Sequence, residues 1–109
     1  MPPSNALVRA FADKAKGVLV EALRLNAGEW DSAMAERHQD DLQRLADYAG
    51  NLVLEDVQAA ILDLYAYVSV FTEGTLKPNA AQRAELERLI HDAQAQLLPL
   101  APMQTPPSN

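Results

Sequence analysis

The chain contains no cysteine among its 109 residues. Disulfides, thiolate metal sites and a cysteine nucleophile are thereby excluded, and a reducing, cytoplasmic setting is expected. Aromatic residues are scarce, at 6% against 49% hydrophobic overall. Ala and Leu carry that balance, which favours packed helices over a sheet. The four glycines stand apart from one another, so no glycine-rich loop is available to cradle a phosphate. No apolar run approaches the roughly 18 residues that a membrane span requires. The opening MPPSNALVRAFADK lacks the basic start and apolar stretch of a signal peptide. Bases are also in short supply: nine Lys and Arg against fifteen acids give a net charge of −6. With those nine scattered, nucleic acid is not an expected partner, because Lys and Arg on phosphates supply most of that affinity. The length suits one domain with a single core.

What remains is a pattern of four amphipathic segments. In the first, opened by Ser4 or Asn5 as a cap, Leu7, Phe11, Ala15, Val18, Ala22 and Leu25 step by three or four. Asn26-Ala27-Gly28 ends it. The second spans about 29–49, with Trp30, Met34, His38, Leu42, Leu45, Ala49 and then Leu52 on its apolar line. Gly50-Asn51 is expected to close it in a left-handed conformation. The third starts near Glu55-Asp56, acids suited to a helix N-terminus. Its line is Val57, Ile61, Leu64, Val68 and Phe71, flanked by Leu62, Tyr65 and Val70, with Glu73-Gly74 as the stop. YAYVSVF alone reads as a strand, but its continuity with DVQAAILDL predicts helix. Asn79 caps the fourth, whose inner face is Ala84, Leu86, Leu89, Ile90, Ala93 and Leu97. Arg83 with Glu87, and Arg88 with Asp92, are spaced for pairing on its outside. Pro99 and Pro102 end regular structure. The expected architecture is all-α, an antiparallel four-helix bundle over 1–98, with 99–109 a Pro-rich tail or linker to a further domain. An obligate dimer of two-helix hairpins is the competing arrangement.

Few residues in this pattern invite chemistry. His38 lies on the apolar line of the second helix, which favours a structural role over phosphorylation. His91 has Glu87 one turn earlier, more simply a surface pair than a metal site. Neither histidine has a glutamate three positions before it, so the di-metal bundle motif is missing. Asp40 and Asp41 diverge by about 100° on a helix and do not converge on a substrate. The domain is therefore expected to be no enzyme, with no cofactor and no metal.

One segment is more specific. AGNLVLEDVQAAILDLYAYV, residues 49–68, resembles the stretch that follows the active histidine in histidine phosphotransfer (Hpt) domains. In that family a helix carrying His-x-Leu-Lys-Gly-Ser/Ala leads through a small-residue turn into the next bundle helix. The match is specific only over residues 42–68. Aligned on Ala49-Gly50-Asn51-Leu52, the family leucine is Leu45, while the histidine falls on Gln43, the lysine on Ala46 and the glycine on Asp47. A carboxamide has no ring nitrogen to accept phosphorus. Ala46 cannot offset phosphoryl charge, and Asp47 would repel it. The resemblance thus implies a degenerate Hpt-like regulatory or docking module of a two-component signalling protein. It implies as partner a response-regulator receiver or a neighbouring domain, met through Gln43, Arg44, Asp47 and Tyr48. Two other readings stand beside it. One is a helical dimerisation or adaptor domain using Val8, Leu23, Tyr67 and Val70, unrelated to phosphorelay. The other is an active phosphotransfer domain with His38 as the phosphoacceptor.

Overall fold

The computed structural model describes residues 5–72 and 77–100. The expected Ser4 or Asn5 cap, the Glu73-Gly74 stop, most of the following loop and the tail beyond Leu100 lie outside the described side chains. Four helices follow in order: α1 (Asn5–Ala27), α2 (Ser32–Asn51), α3 (Glu55–Ser69) and α4 (Ala80–Leu97), the last continued by a 3₁₀ turn, Leu98–Leu100. Each helix packs against its two neighbours in a ring, and the backbones of the diagonal pairs, α1 with α3 and α2 with α4, do not approach closely. The antiparallel four-helix bundle expected from the sequence is what forms.

Its core is continuous through all four helices. Phe11, Leu19, Leu42, Leu45, Ile61, Leu64, Leu86, Ile90 and Leu97 are all essentially inaccessible to solvent. Burying one such side chain contributes on the order of 1.5–3 kcal/mol relative to leaving it in water. One hairpin of the bundle is registered by hydrogen bonds. Gln39 Nε2 donates to Ser69 Oγ at 2.6 Å, and Gln58 Nε2 donates to the Ala46 carbonyl at 3.0 Å, tying α2 to α3 near both ends. Among the described residues no helix is long and apolar enough to cross a membrane.

Several boundaries differ from expectation. The second helix starts at Ser32 rather than near Glu29, because the Asp31 carboxylate caps the amides of Ala33 and Met34. Trp30 is buried ahead of the helix, its Nε1 donating to the Phe71 carbonyl at 3.0 Å. Starting the helix there rotates Met34 into solvent, and Ala35 takes the inward place. Leu7 and Ala84, expected inside, are exposed. Pro99 does not end regular structure: it sits inside the 3₁₀ turn, and Leu100 packs partly on the core.

The turn from α2 into α3 holds the largest local departure. The left-handed residue is neither Gly50 nor Asn51 but Val53, at φ 59°. Leu54 N–H donates to the Ala49 carbonyl at 2.9 Å and Val53 N–H to that of Gly50 at 3.0 Å. That is the Schellman pattern, and it requires the left-handed residue at position 53. A β-branched side chain there is strained. Gly50 serves a different need, since a Cβ at that position would meet Gln58 Nε2 at 2.6 Å.

Candidate functional site

The outward side of α2 carries the residues singled out by the resemblance. Gln43, Arg44 and Asp47 are exposed, and Leu45 and Ala46 behind them are buried. At about 100° per residue, Gln43 and Asp47 share one side, a turn apart, with Arg44 beside them. Gln43 and Asp47 make no hydrogen bond or ion pair with any described residue. Arg44 Nη1 lies 4.0 Å from Asp41 Oδ1, at the outer limit of an ion pair and in open solvent. Such a contact contributes little. The bundle makes little use of these three polar side chains.

Tyr48 does not join them. It is turned towards α1, where its ring meets that of Phe11 edge-on with centroids 5.6 Å apart. The four expected contact residues therefore divide into a polar trio facing solvent and an aromatic that props α1 against α2.

His38 lies on the far side of α2, against α1. It is 6% exposed, and its Nε2 is enclosed with no hydrogen-bond partner. Glu21, Leu25, Met34, Arg37 and Asp41 line the small crevice beside it. Burial pushes the imidazole pKa below its ordinary value, against the smaller opposing influence of Asp41 and then Glu21. The neutral ring is thus favoured, with Nε2 closed to solvent. His91 is exposed, its Nε2 3.5 Å from Glu87 Oε2 and its Nδ1 3.0 Å from Gln94 Oε1. No third His, Asp or Glu joins either histidine in a metal-binding group among the described residues.

A second site was not visible in the sequence. Arg83, expected to pair with Glu87, instead crosses to α1, where its Nη1 donates to the carbonyls of Asn26 and Gly28. Asn26 returns the contact through Nδ2 to the Arg83 carbonyl at 2.9 Å. A cation thereby caps the negative end of α1. Beside this lock runs an open groove of roughly 580 Å³, floored by Leu23, Ala27, Ala80 and Ala84 and edged by Glu87 and His91. Fifty-seven residues separate the two partners, and no local pattern connects them.

No protein-family model, curated protein or solved structure matches the chain.

Proposed function

We propose that the domain is a non-catalytic docking module of a two-component signalling protein, Hpt-like in layout. It binds a response-regulator receiver or a neighbouring domain through the outer face of α2 and carries no phosphate. The observation that carries the reading is the exposed trio Gln43, Arg44 and Asp47. It stands on a rigid helix, with almost no engagement inside the chain. These are the positions around the phosphoacceptor in the family that the segment resembles. Glutamine at 43 removes the nucleophile, and a carboxylate one turn on disfavours an incoming phosphoryl group. Docking remains available to such a surface; transfer does not.

Two observations weigh against the other readings. Val8, Leu23 and Tyr67, offered as a dimer surface, are partly buried and pack against the bundle's own core. Only Val70 of that set is exposed. The enclosed Nε2 of His38 is poorly disposed to accept phosphate.

The test is calorimetric titration of receiver domains onto the full chain. The expected result is a complex that Gln43→Arg combined with Asp47→Arg weakens at least about tenfold, or 1.4 kcal/mol. Circular dichroism of the doubly substituted chain should be unchanged. Binding indifferent to both substitutions, or no complex with any receiver or adjoining domain, would overturn the proposal.

A further inference from the structure

The α3 helix is apolar on both sides. Val57, Ile61, Leu64 and Val68 face the core, while Ala59, Leu62, Ala66 and Val70 form a second line, at steps of three and four, that faces solvent. Leu62 is 42% exposed and Val70 52%. Exposed apolar residues repeated at helical spacing mark a contact surface, and no element of this chain covers the outer line among the described residues.

Charge indicates what could cover it. There is no lysine or arginine between Arg44 and Lys77. α3 itself carries three acids, Glu55, Asp56 and Asp63, and no base. Asp63 is exposed beside this line, and Arg88 of α4 is held protonated mainly by Glu85, with smaller help from Asp92 and Asp63. Glu55 and Asp56 form no ion pair with a described residue. A face of apolar residues bordered by acids calls for a helix with small or apolar residues flanked by bases.

The chain carries such a helix on its opposite side. α1 has four bases, Arg9, Lys14, Lys16 and Arg24, against two acids. Its outer face presents Arg9, Ala10, Lys16, Gly17 and Val20, all exposed, with one acid, Asp13, among them. A Cβ at Gly17 would meet nothing within 4 Å, so the fold has no steric need of the glycine that weakens this helix by about 1 kcal/mol relative to Ala. α1 and α3 are diagonal in the ring, so the two faces point away from each other and cannot meet within one chain.

We infer that the outer face of α3 docks on the outer face of α1 of a second copy, in a head-to-tail contact. The contact is heterologous, and because its two halves lie on opposite sides of the bundle it propagates as an open row instead of closing as a pair. One helix face against another buries less than a standard interface, so the association is weak and concentration-dependent. Pairing of α3 with α3 would set two acidic helices without a base against each other, which the charge pattern disfavours.

Sedimentation velocity on the full chain tests this, at loadings from about 10 μM to about 1 mM. The expected result is a sedimentation coefficient that rises with concentration, and rises less in about 0.5 M salt. Leu62→Lys blocks one face and Lys16→Glu the other. Both positions are exposed, and an unchanged urea midpoint verifies that each variant folds. Each variant alone should stay monomeric, and an equimolar mixture of the two should form dimers and nothing larger. A wild-type chain that remains monomeric throughout would overturn the inference. So would association abolished by Leu62→Lys but untouched by Lys16→Glu, which is the signature of a symmetric α3 pair.

Discussion

The two helices of the central hairpin show solvent opposite kinds of surface. α2 buries one apolar line and turns Glu36, Asp40, Gln43, Arg44 and Asp47 outwards. α3 buries a similar line and turns Ala59, Leu62, Ala66 and Val70 outwards. The inner faces do the same work, so the fold alone does not explain the difference. On α2 the bundle leaves polar groups largely unengaged, and on α3 it leaves apolar area uncovered.

The comparison is sharpest when the inner and outer residues of α2 are set against each other. Leu42→Ala, at a fully buried position, should cost about 2–5 kcal/mol, read as a lower urea midpoint. Gln43→Ala, one residue along, should change stability by no more than about 0.5 kcal/mol. A large effect at Gln43 would mean that the outer face of α2 is structural after all.

The joint between the two helices offers smaller, signed effects. Val53→Gly should stabilise by about 1 kcal/mol, because glycine accepts the left-handed backbone that valine resists. Gly50→Ala should be neutral or harmful in the native chain, where the new methyl displaces the Gln58 amide from the Ala46 carbonyl. In a Gln58→Ala background the same change should stabilise, as alanine is the better helix former. Chemical denaturation of the four combinations gives the coupling directly.

The smallest effect concerns His38. Its folded pKa is depressed by burial, so the unfolded chain binds more protons over the window between the two pKa values. The sign follows: this contribution to stability is complete above the unfolded value of about 6.5 and is lost as pH falls through the folded one. Urea midpoints measured across that range should decline more steeply in acid for the native chain than for His38→Leu. Equal slopes would place the acid sensitivity elsewhere.

Much of this architecture was legible in the sequence because its signals are local. Asn79 is followed by Gln82 three positions on, and the two form a reciprocal capping box. Arg88 and Asp92, four apart, pair at 2.8 Å. Small residues were harder to read. Ala35 and Ala46 are buried where the larger Met34 is exposed, since helix phase is set by the cap at Asp31 and not by side-chain size. Residue type points to Gly50 or Asn51 as the left-handed residue, whereas the hydrogen-bond pattern selects a position and takes the valine it finds there. The mutual lock of Asn26 with Arg83 joins the end of α1 to the start of α4, and only the folded chain brings them together. Of the expected contact residues, Tyr48 is half-buried, because exposure on a helix edge depends on the neighbouring helix, here the Phe11 ring of α1.

The central claim is that this surface docks without transferring phosphate, and incubation with a radiolabelled, phosphorylated receiver tests it most directly. The account predicts a complex in which all the label stays on the receiver or is lost as inorganic phosphate. Acid-labile, alkali-stable label appearing on this chain would contradict it.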